Sequence, residues 1–282
     1  ALKLIDVGNL EDDLEKLSEV DWIIEVVVEN LEVKKKIHAL IDKHRRPGSI
    51  VSSNTSGISI HKMAEDCSKD FRNHFLGTHF FNPPRYLKLL EVIPTKWTKI
   101  EVLNGMKQFG ENKLGKGVVE AKDTPNFIAN RIGTYGLLIT VKEMLSKGFS
   151  IGEVDSITGP IIGRPKSATF RTLDLVGLDT FAHVANNVYN QVDGEEKTIF
   201  KLPKFMNEML NNQWFGEKSG QGFYFKQKTS KGSKIYELNT QTMEYQEQKS
   251  LKTHATEMAM QERSIHRKIR TLLSAKGDPA SD

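Results

Sequence analysis

A single cysteine, Cys67, stands among 282 residues. One thiol cannot close a disulfide within the chain, which excludes a disulfide-stapled scaffold and suits a reducing compartment, so a cytoplasmic location is expected. Long apolar runs are also missing. None approaches the roughly 20 residues that cross a bilayer, so no membrane span is expected. The opening ALKLIDVGNLEDD lacks the apolar core of a signal peptide. No internal repeat or low-complexity tract is visible, and no spacing of His, Cys and Asp matches a metal site. Charge of one sign is scarce as well. The net +4 belongs to the stretch from residue 226 onward, with 11 Lys/Arg against 7 Asp/Glu, while residues 1–225 carry 29 of each sign. A basic excess confined to a tail reads as a solvated face, and no nucleic-acid partner is expected.

What is present begins with DWIIEVVV at 21–28, a nearly continuous β-branched run of the kind that forms a buried parallel strand. Val33, Ile37, Leu40 and Ile41 then recur at helical spacing before the stop at Pro47-Gly48. A strand at IVSS follows, running into the polar turn SSNTSG at 52–57. A weaker helix is expected at 59–66, a strand at 74–81, and further strands at KLLEVIP and at 117–121 with a helix over 99–114 between them. This alternation predicts an α/β fold with a parallel sheet. After residue 122 the pattern becomes helical. DTPNFIANRIGTYGLLITVKEMLSKG reads as one long helix with Thr124 as N-cap and Pro125 at the first helical position. Further helices are expected at 151–159, 168–176, 178–192 and 201–212. Three regions result: an α/β domain over 1–122, an all-helical domain over 123–225, and a linker with an amphipathic helix over 226–282. The last helix is expected from Met258, Ile265, Ile269 and Leu272.

The stretch GTHFFNPPRYLKLLEVIPT at 77–95 places a histidine and a glutamate inside two apolar strands. An ionised carboxylate on an apolar face costs on the order of several kcal/mol unless it is paired. His79 is the nearest candidate partner of Glu91, because NPPR forms a break that lets the two strands lie together. Asn130 is mildly unfavourable within a helix, by about 0.6 kcal/mol relative to Ala. His38, His44, His61 and His74 are expected to be solvated, His183 to be packed, and Cys67 to be structural. An α/β domain followed by helices invites a search for the dinucleotide turn Gly-x-Gly-x-x-Gly. It is absent: Gly115 and Gly117 are followed by Glu120, and Gly220 and Gly222 by Phe225.

The segments VVENLEVKK, SSNTSG, GTHFFNPP, LLEVIP, KDTPNFIANR, VGLDT and KSGQGFY stand in an order and spacing by which residues 9 to about 225 resemble the L-3-hydroxyacyl-CoA dehydrogenases of fatty-acid β-oxidation. The long bacterial multifunctional type is the nearest in pattern. The resemblance implies NAD as cofactor, an acyl-CoA substrate, and a partial Rossmann-like domain whose first strand, glycine loop and first helix lie before Ala1, together with the residues for adenosine, pyrophosphate and coenzyme A. It implies His79 as general base oriented by Glu91, with Ser56, Asn82 and Asn130 near the substrate. Glu29, Lys34, Ser56 and Lys218 would contact the cofactor. A dimer or larger β-oxidation assembly is expected for the whole protein, and this chain by itself is expected to be inactive. Two other readings stay open. One is a dehydrogenase of the same fold acting on a hydroxy acid or sugar acid, and the other is a non-catalytic assembly segment.

Overall fold

A computed structural model describes residues 2–229 and 232–281. The chain forms two compact units, Ala1–Ile132 and Gly133–Asp282. In the first unit the order is β1 (Trp22–Glu25), α1 (Leu31–His44), β2 (Ile50–Ser53), α2 (Ile60–Ala64), α3 (Lys69–Asn73), β3 (Phe75–Phe80), β4 (Leu89–Pro94), α4 (Ile100–Asn112) and β5 (Gly117–Glu120). The strands make one sheet in the order β1-β2-β3-β4-β5.

Local chemistry accounts for these boundaries. Asn30 caps α1 by accepting from the Val33 amide at 3.1 Å. Val51, Phe71, Phe75 and Ile93 are fully buried beside Ile60 and Met63, each such side chain stabilising the unit by about 1.5–3 kcal/mol. Gly77 lets α2 approach the sheet closely, since a Cβ there would stand 2.8 Å from Ile60 Cδ1.

The sheet is not wholly parallel. β1, β2 and β3 run parallel, as do β4 and β5, but β3 and β4 are antiparallel. The connection through NPPR is too short for the crossover that parallel neighbours require. β1 also stops at Glu25, and Val26 and Val28 beyond it are exposed on the edge of the sheet. The reason lies in Glu25 itself, whose carboxylate accepts from the Val27 amide at 2.6 Å and turns the chain out of the strand.

In the second unit, α5 (Ala129–Lys147, entering from the first unit), α6 (Ile151–Ile157), α7 (Phe170–Val176), α8 (Leu178–Gln191) and α9 (Lys204–Asn211) enclose a core of Leu138, Val141, Phe170, Leu173, Phe200 and Met206. The long helix expected to start at Pro125 begins four residues later, because Asn126 and Phe127 take left-handed backbone, at φ 58° and 51°. The expected irregular linker from 226 contains a three-stranded antiparallel sheet, β6 (Tyr224–Thr229), β7 (Gly232–Leu238) and β8 (Tyr245–Glu247). These strands are rich in Lys, Gln and Glu, yet Tyr224, Ile235, Leu238 and Tyr245 pack on the helical core. The late amphipathic helix is two helices, α10 (His254–Gln261) and α11 (Ile265–Ser274), because Ser264 caps a new start. Among the described residues no helix is long and apolar enough to cross a membrane.

Candidate active site

Strand pairing sets the centre of the site. In the β3–β4 register His79 lies directly opposite Glu91, so both side chains leave the same face of the sheet. The Glu91 side chain is 1% exposed, and its Oε2 meets His79 Nδ1 at 2.7 Å. Its other oxygen, Oε1, accepts from the backbone amides of Ile128 at 3.1 Å and Ala129 at 2.8 Å, where α5 begins. The carboxylate therefore faces a histidine and the positive end of a helix. Phe81 and Phe127 flank the imidazole, with ring centroids 4.4 and 5.7 Å away. A histidine bonded through Nδ1 presents Nε2 in the opposite direction, available to a proton on a ligand.

A second polar group gathers at the carboxyl ends of β1 and β2. Glu29 Oε1 accepts from the Thr55 hydroxyl at 2.5 Å and from the Ser56 amide at 3.0 Å. Lys34 Nζ stands 3.4 Å from Glu29 Oε2, yet the Lys34 side chain is only 1% exposed. Its ammonium is held by both oxygens of Glu25, at 2.9 and 3.1 Å, and by the Val27 carbonyl at 3.2 Å. Ser53 donates to Glu25 at 2.6 Å. Asn54 Oδ1 accepts from the Phe80 amide at 2.9 Å and so ties this strand end to the residue after His79.

The residues singled out from sequence thus divide. His79 and Glu91 are in direct contact, and Glu29, Lys34 and Ser56 form the neighbouring group. Asn130 sits half-buried in the first turn of α5, and Asn82 is exposed before a cis bond to Pro83. Lys218 belongs to the second unit, where it pairs with Asp179. His38, expected to be solvated, is fully buried against Phe71 and Phe75, and burial pushes its pKa below the ordinary value. Burial likewise pushes the Cys67 thiol up to about 12, with the carboxylates of Asp42 and Asp66 adding to it, so Cys67 is no nucleophile near neutral pH. Glu25 and Asn54 were not singled out. Glu25 carried the same signal as Glu91, a carboxylate inside an apolar strand, while Asn54 resembles any other turn residue.

The residues at the strand ends offer polar groups of the kind that can hold a dinucleotide. Glu29 and Ser56 place carboxylate and hydroxyl groups at the carboxyl ends of parallel strands, where open α/β sheets receive ligands. For the pyrophosphate, the sequence contains no Gly-x-Gly-x-x-Gly turn.

Comparison with known proteins identifies the family. Residues 2–124 match the model of the 3-hydroxyacyl-CoA dehydrogenase NAD binding domain, and residues 127–226 match that of the 3-hydroxyacyl-CoA dehydrogenase C-terminal domain. A probable 3-hydroxyacyl-CoA dehydrogenase of Bacillus subtilis is 66% identical over 269 residues, covering 95% of this chain but 34% of that protein. The mitochondrial hydroxyacyl-coenzyme A dehydrogenase of Sus scrofa is 33% identical over 221 residues, covering 78% of this chain and 68% of that protein. The crystal structure of (S)-3-hydroxybutyryl-CoA dehydrogenase from Ralstonia eutropha superposes with a TM-score of 0.68 at 30% identity, covering 74% of this chain and 71% of that one. This chain spans about a third of the length of the Bacillus relative. With both domain models matched along most of its length, the chain belongs to the 3-hydroxyacyl-CoA dehydrogenase family.

Proposed function

We propose that the protein carrying this chain oxidises L-3-hydroxyacyl-CoA to 3-ketoacyl-CoA with NAD, with His79 as the general base. The observation that carries this reading is the buried His79–Glu91 contact at 2.7 Å. Glu91 fixes the tautomer by accepting from Nδ1, which leaves Nε2 as the base for the substrate hydroxyl proton. As that proton arrives, the imidazole gains positive charge beside a carboxylate already placed to stabilise it. NAD, when bound, takes the hydride leaving the carbon that bore the hydroxyl. Phe81 and Phe127 shield the ring from water. Ser56, Asn82 and Asn130 are assigned to the substrate, and Glu29, Lys34, Ser56 and Lys218 to the cofactor. For Lys34, burial between Glu25 and Glu29 supports a contact through Glu29 more than a direct one.

An acyl-CoA substrate is supported by the family and by the printed names of the relatives. Assembly into a larger β-oxidation enzyme is supported by a 33% identical stretch of a putative fatty acid oxidation complex trifunctional enzyme of Rickettsia felis. A cytoplasmic location rests on the single free thiol. The deciding measurement is a substrate panel on the whole protein. NADH-dependent reduction of acetoacetyl-CoA, with none of free 3-keto acids, is expected. Turnover of the free acids with none of the thioester would replace this reading by a hydroxy-acid dehydrogenase of the same fold.

A further inference from the structure

We infer that the left-handed pair Asn126–Phe127 positions Glu91, by diverting two backbone amides from α5 to its carboxylate; the catalytic consequence rests on the proposed roles of His79 and Glu91. Two consecutive non-glycine residues at φ 58° and 51° are sterically disfavoured, and a bulky residue such as Phe is the worse of the two. What the distortion achieves follows from counting amides. A helix capped at Thr124 would bond the Ile128 amide to the carbonyl of residue 124 and the Ala129 amide to that of residue 125. Both donors would then be consumed within the helix. Instead, Thr124 O accepts from the Phe127 amide at 2.9 Å, closing a turn, and the helix starts afresh at Ala129.

The amides of Ile128 and Ala129 are thereby freed, and both donate to Glu91 Oε1. With Oε1 held by two donors, Oε2 is left directed at His79 Nδ1. The same turn buries the Phe127 ring in the core beside the imidazole. Asn126 and Phe127 touch no reacting atom in this scheme. They are positioning residues, and the property that matters at 126 is tolerance of left-handed backbone.

The test compares Asn126→Val, which resists that conformation, with Asn126→Gly, which adopts it freely, in the whole protein. Residue-resolved hydrogen exchange at Ile128 and Ala129 should quicken roughly tenfold in Asn126→Val and change less than about twofold in Asn126→Gly. In parallel, Asn126→Val should lower kcat severalfold with the KM for NADH and acetoacetyl-CoA nearly unchanged, and Asn126→Gly should retain kcat. Asn126→Ala, a milder strain, carries the exchange measurement should the valine variant fail to fold. Equal losses in the glycine and valine variants would assign the effect to the Asn126 side chain and overturn the inference. So would parental exchange rates in Asn126→Val or in Asn126→Ala. Absence of turnover in the parent would remove the proposed function alone, because the exchange measurement still decides whether the turn holds these amides.

Discussion

Glu91 divides its oxygens between an imidazole and a helix start, and this division fixes what substitutions there should do. His79→Gln removes the base and should lower kcat with acetoacetyl-CoA by roughly 10²–10⁴-fold, leaving substrate affinity little changed. Glu91→Gln keeps the shape but not the charge, so its loss should also fall mainly on kcat. Steady-state kinetics of both variants check this, and near-parental turnover in the pair would end the assignment. The dyad was legible in sequence because a carboxylate in an apolar strand requires a partner. Glu25 obeys the same rule, but its partner Lys34 arrives from α1, and nothing in DWIIEVVV marks a helix as the source of the matching charge. Leaving one member of such a buried pair alone costs about 3–5 kcal/mol.

At the scale of elements, Asp123 shows how the chain after β5 is anchored. Its carboxylate accepts from the Ser59 hydroxyl at 2.8 Å, the Ile60 amide at 2.9 Å and the His61 amide at 2.8 Å, all at the start of α2. Asp123→Ala removes a charged acceptor from these donors and should destabilise the first unit by about 1–3 kcal/mol. Urea unfolding followed by Trp97 emission reads this directly, since Trp97 stacks on His61 at 4.0 Å; an unchanged midpoint would show that water replaces the carboxylate without cost. Helices α1 and α4 were legible from periodicity. The late start of α5 was not, because Thr124, Pro125 and the apolar spacing all favour a helix there, and only the demand of Glu91 for donors competes with them. The pair of β6 and β7 was missed for another reason: its exposed residues are Lys226, Gln227, Lys228, Ser233 and Lys234, Glu237 is a carboxylate buried among them, and its apolar residues are too sparse to show alternation.

At the scale of the molecule, the two units should respond oppositely to acid. In the first, buried His38 has a folded-state pKa below the ordinary 6.5. Between those two values the unfolded chain binds a proton that the fold rejects, so this stability is present above 6.5 and is lost as pH falls. In the second, burial pushes Asp174 from the ordinary 3.8 up to about 6, despite the amides of Phe223 and Tyr224 that it accepts. There the fold holds a proton that the unfolded chain has released, so its contribution grows as pH falls through about 6. Lowering pH from about 7 to 5 should therefore weaken the first unit relative to the second. Single-tryptophan variants retaining Trp97 or Trp214 would separate the transitions. His38→Gln should flatten the acid slope of the first, and a first unit that gained stability in acid would contradict the account.

Sequence by itself determined the periodic elements, the pairing need of Glu91 and the family pattern, because each depends on residues close along the chain or on burial that any fold must satisfy. The turn at NPPR, for instance, brings His79 and Glu91 onto adjacent strands without help from elsewhere. Only tertiary structure decided where β1 ends, that His38 is buried, and that the amides of Ile128 and Ala129 leave their helix for a carboxylate. In the last of those cases a buried carboxylate found its donors on a distant segment. A buried charge or donor must be satisfied by whatever the fold brings near, and local propensity yields to that requirement.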